Sequence, residues 1–112
     1  MKTIETSQGE QILINEMTEK ELQKNVIDAY KKLNWEGYHT WMSAHSASGF
    51  PDWVFIRERV FFAELKRQDR EPTLRQQKWI DALRAAGQEV YVWKPENWFS
   101  GEIGRILSEV KS

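Results

Sequence analysis

The chain has no cysteine, three prolines, two histidines and almost no net charge. Without cysteine there are no disulfide staples and no thiolate metal sites, so the 112-residue chain must hold together by an apolar core. With only His39 and His45, at no recognisable ligand spacing, zinc is a poor fit. No apolar run approaches the roughly 18 residues that span a bilayer, and the N-terminus lacks a basic-then-apolar leader. These absences give the expectation of a cytoplasmic protein with no membrane partner. A formal net charge of −1 argues against a uniformly basic nucleic-acid binder.

What is present is an ordinary globular balance, 40% hydrophobic and 29% charged, in a length suited to one core. The charge is unevenly placed. Residues 57–94 carry nine Lys/Arg against six Asp/Glu, a net of +3, while residues 1–36 carry five against seven, a net of −2. Solvated helix faces account for such an excess as readily as a binding surface does.

Residues 1–17 show no strong period, and "QILI" fits a short strand or the start of a helix, so this segment is expected to be an arm ahead of a single domain over 18–112. "TEKELQKNVIDAYKKLNW" is an amphipathic helix with Leu22, Val26, Ala29, Tyr30 and Leu33 on one stripe. Thr18 and Glu21 fit a capping box, which gives Glu21 a structural job. Glu19, three residues before Leu22, sits inside the apolar stripe, where a helix-dipole role competes with a functional one. "GYHTWMSAH" reads as a strand ended by "SASG". "DWVFIR" and "VFFAELK" are apolar on both faces and joined by "RER", an antiparallel hairpin. "TLRQQKWIDALRAAG" is a helix with Leu74, Trp79, Ile80 and Leu83 as its stripe and Gly87 at its end. "QEVYVWK" is a fourth strand, and "NWFSGEIGRILSEVK" a closing helix. The order α-β-β-β-α-β-α predicts an α/β fold, a mixed sheet flanked by helices, with the last strand parallel.

The hairpin carries Asp52, Glu64 and Lys66 on what should be central strands. Opposed residues of an antiparallel pair share a face. Asp52 faces Glu64 only if the pairing is symmetric about position 58, which needs an odd-numbered connection; an even tight turn would send Asp52 to the other side. Two buried carboxylates side by side repel and are each penalised by desolvation. A shared hard cation, Mg²⁺ or Mn²⁺, removes both penalties. Lys66 then reads as a fixed charge that orients water or steadies a phosphate. The competing reading is an exposed Glu-Lys pair on an edge strand.

Pro51–Asp52 with Glu64–Leu65–Lys66 resembles the PD-(D/E)xK nucleases. The longer pattern "SGFPDWVFI…FFAELKRQ…RQQKWIDALRAAGQEVYVWKPENW", within residues 18–99, resembles the VRR-NUC branch, small virus-type nucleases related to Holliday junction resolvases. The resemblance implies a restriction-endonuclease-like core and an Mg²⁺-dependent endonuclease. It implies Asp52, Glu64 and the backbone carbonyl of Leu65 as metal ligands, Lys66 as the catalytic lysine, and Glu19 at the metal through water, with Glu21 second. It places a functional glutamine at Gln76, or at Gln77 next door. Gly49 fits a turn that lets backbone approach phosphate. Ser46, Ser48, Arg67, Arg70, Arg75 and Lys78 are candidate DNA contacts, each equally readable as a solvated surface residue. The implied partners are DNA, branched junctions first, and a second copy of the chain, with no small-molecule cofactor. A chain with nothing beyond the nuclease core fits a junction-cutting homodimer, in a bacterial host's cytoplasm if the source is a phage. Flap cleavage, another DNA target, or a non-catalytic nucleic-acid-binding module are the alternatives.

Overall fold

A computed structural model describes residues 7–40 and 48–110. The element order is α1 (Gln8–Glu16), α2 (Glu19–Lys32), β1 (Glu36–His39), β2 (Trp53–Ile56), β3 (Val60–Leu65), α3 (Leu74–Ala85), β4 (Glu89–Trp93), α4 (Pro95–Phe99) and α5 (Glu102–Ser108). The four strands form one sheet in the order β1-β2-β3-β4. β1–β2 and β2–β3 are antiparallel, and β4 runs parallel to β3 after the α3 crossover. This is the mixed, helix-flanked α/β sheet that the element order predicts.

The hairpin register determines which face of the sheet Asp52 occupies. Trp53 pairs with Ala63, Phe55 with Phe61 and Ile56 with Val60, leaving Arg57, Glu58 and Arg59 as a three-residue connection. The Arg57 N–H donates to the Arg59 carbonyl at 3.0 Å, closing it. Pairing is therefore symmetric about Glu58, and Asp52 comes onto the face of Glu64.

Two sheet faces are covered unequally. Trp53, Phe55, Phe61, Ala63, Leu65 and Trp93 form the main core with Leu22, Val26 and Tyr30 of α2 and Ile103, Ile106 and Leu107 of α5. The three α2 residues recur every fourth position, so one helical stripe reaches the sheet. Full burial of each large side chain contributes about 1.5–3 kcal/mol. The rings interlock: Trp53 stacks on Phe55 at 5.6 Å, and Trp35 meets Phe61 edge-on at 5.0 Å. On the other face α3 packs against β4, burying Ile80, while Tyr38, Ile56 and Val60 stay exposed.

At the turn end of the hairpin, the Arg57 guanidinium lies over the Trp35 ring at 4.4 Å. It donates to the carbonyls of Leu33 (3.0 Å), Leu107 (3.3 Å) and Glu109 (2.6 Å), joining the ends of α2 and α5 to the sheet. Trp35 itself donates to the Leu107 carbonyl at 2.8 Å.

Four sequence expectations need adjustment. The open segment before residue 18 contains a true helix, α1, capped by the Ser7 hydroxyl accepting from Glu10 N at 3.0 Å. The strand expected from "GYHTWMSAH" is β1, Glu36–His39; its residues 41–45 lie outside those described. Leu74 is 92% exposed, because six residues before Ile80 puts it about 120° around α3 from that buried residue. The closing helix is two helices, α4 and α5, broken at Gly101, whose φ of 85° is left-handed and interrupts the helical path.

Candidate active site

The site lies at the end of the sheet opposite the Arg57 turn, where the first turns of α2 and α3 approach from the two faces. Glu64 is 1% exposed yet carries a carboxyl group. Asp52 N–H donates to Glu64 Oε1 at 3.2 Å, and Gln76 Nε2 donates to Glu64 Oε2 at 2.9 Å. Asp52 Oδ2 in turn accepts from the Leu65 N–H at 2.9 Å, so the two strands hold each other's carboxylates. Lys66 Nζ stands 3.6 Å from Glu64 Oε2. Glu19, the first residue of α2, brings one carboxylate oxygen to the same place: donor atoms of Glu19, Asp52 and Glu64 all lie within 4.8 Å of one another.

That crowding has an electrostatic signature. Burial, and then the Asp52 charge, push the Glu64 carboxyl up to about 8, with Lys66 pulling in the opposite direction. Glu19 is raised for the same two reasons, burial first and Asp52 second: the residue is exposed, but its acid end is partly shielded against the cluster. Glu21 behaves in the opposite way. It accepts from Thr18 N at 2.9 Å and from the Thr18 hydroxyl at 3.1 Å, and its carboxyl is lowered by that backbone bond. Of the two acidic residues considered on this helix, Glu19 reaches the cluster and Glu21 caps the helix.

Gln76 has two jobs. Its Oε1 accepts from Thr73 N at 2.9 Å in a capping box, which turns its Nε2 toward Glu64. Gln77 instead donates to Asp81 on the outer side of α3 at 2.8 Å. Gly49, with φ 95°, packs so closely on α3 that a Cβ would stand 2.8 Å from the Arg75 carbonyl. The Ser48 carbonyl accepts from the Trp79 indole at 3.1 Å, pinning the same loop to α3.

The remaining basic candidates do not converge. Arg67 pairs with Asp69 at 3.3 Å and reaches the Asn15 carbonyl at 3.5 Å, leaning toward α1. Arg70, Arg75 and Lys78 are exposed. Ser46 lies outside the described residues. Sequence reasoning does not single out Lys20, Gln23 and His39, which line a cleft together with Glu19 and Asp52. The signal for His39 is the β1–β2 register, which pairs it with Trp53, next to Asp52.

A solved structure titled "VRR_NUC domain" is similar in fold to this chain, with a TM-score of 0.64, covering 85% of this chain and all of that one at 19% identity. The chain has the fold of a VRR_NUC domain. No protein-family model matches the sequence, and no curated protein does.

Proposed function

We propose that the protein is a metal-dependent nuclease that hydrolyses phosphodiester bonds in DNA, with Asp52, Glu64 and Lys66 at its centre. The observation that carries this reading is the meeting of three carboxylates, one of them fully buried, with a lysine beside them. A glutamate with its pKa driven up by burial and then by a neighbouring aspartate is a costly arrangement for a purely structural site. The VRR_NUC fold supports the same reading.

The donor set fits a hard divalent cation. All donors are carboxylate oxygens, which suit Mg²⁺ or Mn²⁺ rather than zinc. Asp52 and Glu64 would hold the ion directly with the Leu65 carbonyl, and Glu19 through water. When bound, such an ion lowers the pKa of water and offsets charge on the phosphate. The chain's own residues do the rest. Gln76 fixes the rotation of the Glu64 carboxylate, and the Leu65 N–H fixes Asp52. Lys66 sets a positive charge where the attacked phosphate gains negative charge. Gly49 lets the loop that leads into Asp52 pack directly on α3.

For the substrate we put branched DNA first, four-way junctions cut by a homodimer, on the resemblance to the small virus-type nucleases. The exposed row Tyr38, Ile56 and Val60 on the thinly covered sheet face supports a second copy. The test is cleavage of labelled four-way junction, flap and duplex DNA with Mg²⁺ and then with EDTA. Cleavage is expected with Mg²⁺ alone, strongest on the junction, and lost in Asp52→Ala and Lys66→Ala. Survival of cleavage in both variants refutes the site; binding without cleavage in Mg²⁺ refutes the enzyme. A flap preference or a monomer in sedimentation refutes the junction reading only.

A further inference from the structure

The cleft beside the carboxylates has a volume of about 250 Å³ and is lined by Glu19, Lys20, Gln23, His39 and Asp52. It lies on the α2 side of the sheet, whereas Gln76, Gly49 and the Ser48 loop stand on the α3 side. Glu19 and Gln23 are four residues apart on α2 and so share one helical face, with Lys20 beside them. His39 forms the other wall. Its ring is stacked on Trp53 with centroids 4.8 Å apart and planes 25° from parallel, which holds the imidazole in one plane.

We infer that this cleft is a subsite for the nucleotide adjoining the scissile phosphate, with Lys20 on that nucleotide's own phosphate and Gln23 and His39 on its sugar or base. The inference rests on the nuclease reading and deepens it. A strand laid across the carboxylates must leave them on both sides. Three carboxylates repel the phosphates that flank the cut, so each flank needs a compensating donor. On the α3 side Arg75, packed beside Gly49, offers a charge. On the α2 side the cleft supplies one cation, one amide and one imidazole, a mixture that suits a sugar–phosphate unit and is too polar for an apolar ligand. His39 is outside the group of donors close enough to share an ion, so the cleft extends the cluster rather than enlarging it.

The test is DNA binding by fluorescence anisotropy in EDTA over a series of salt concentrations, for the wild type, Lys20→Ala and Lys31→Ala, alongside Mg²⁺-supported cleavage. Lys20 is exposed, so its replacement leaves the fold intact. A lysine that neutralises one phosphate contributes about 0.9 to the slope of log affinity against log salt. Lys20→Ala is therefore expected to lower that slope by about one and weaken binding roughly fivefold at low salt, while Lys31→Ala, exposed at the far end of α2, changes neither. Gln23→Ala and His39→Asn are expected to raise KM severalfold and leave kcat near the wild-type value. If the wild type cuts DNA but Lys20→Ala keeps its slope, the subsite is wrong and the nuclease reading stands. If the wild type cuts nothing while Lys20→Ala still shifts the slope, the contact stands and the reaction falls.

Discussion

Replacing Glu64 with glutamine should stabilise the metal-free protein at neutral pH while abolishing cleavage. Glu64 has a carboxyl raised from 4.5 to about 8 by burial and by Asp52. For an acid held more tightly protonated in the folded state, the sign is fixed. Its contribution to stability is fully present below pH 4.5 and is lost as pH rises through 8. At ~1.4 kcal/mol per unit, the cost to the wild type is about 3 kcal/mol at pH 7 and nearly 5 at pH 9. Relaxation of the protein around a buried charge, which gives interiors a high effective dielectric, reduces this by about half. Glutamine carries no charge and escapes the cost, but its NH₂ would meet the Gln76 Nε2 donor and lose a hydrogen bond worth about 1 kcal/mol. The net expectation for Glu64→Gln is a gain of about 0.5–1 kcal/mol at pH 7, some 2–4 °C in Tm for a domain of this size, and more at pH 9. Below about pH 6 the sign reverses, and by pH 4.5 the variant should be less stable by nearly the whole of the lost hydrogen bond. Thermal unfolding in EDTA at pH 4.5, 7 and 9 reads this directly. A variant less stable than the wild type at all three, or a difference that does not change with pH, refutes the reasoning.

Mg²⁺ at a fixed concentration, a hundred times its dissociation constant at pH 8, should add about 2.7 kcal/mol to stability there, less at pH 6 because protons compete for Glu64, and nothing in Asp52→Asn. Differential scanning fluorimetry with and without EDTA checks it. Arg57→Ala should cost about 2–3 kcal/mol in urea unfolding, since one guanidinium serves three carbonyls and covers Trp35; the activity of folded molecules should persist, because the turn is at the other end of the sheet. Gly37→Ala should cost about 1–3 kcal/mol, because the new Cβ would stand 2.5 Å from the buried Tyr30 ring; an unchanged Tm would show that the ring has room to yield.

The parts that local pattern controls are legible in the sequence. The α2 stripe and its capping box, the apolar hairpin strands and the crossover to a parallel β4 all have a period or a spacing. The face shared by Asp52 and Glu64 is readable only as a condition on turn parity, and the three-residue connection meets it. What depends on how elements meet in space is hidden. Leu74 is apolar and opens α3, but six residues before Ile80 it falls on the outer side of the helix. The α1 helix exposes Ile12 and Leu13, so its apolar residues follow no single face. Lys20, Gln23 and His39 come together only because β1 pairs with β2, and "GYHTWMSAH" alternates too weakly to set that register.

The three-residue connection at Arg57–Arg59 also constrains how this chain can change over time. Adding or deleting one residue there would reverse the alternation of β3 relative to β2. Asp52 and Glu64 would then stand on opposite sides of the sheet, although every letter of Pro-Asp and Glu-Leu-Lys survived. Natural variation at this surface turn should therefore come as substitutions or as two-residue length changes. A relative with an intact motif and an even connection would be inactive, and searches that score the motif alone would misassign it.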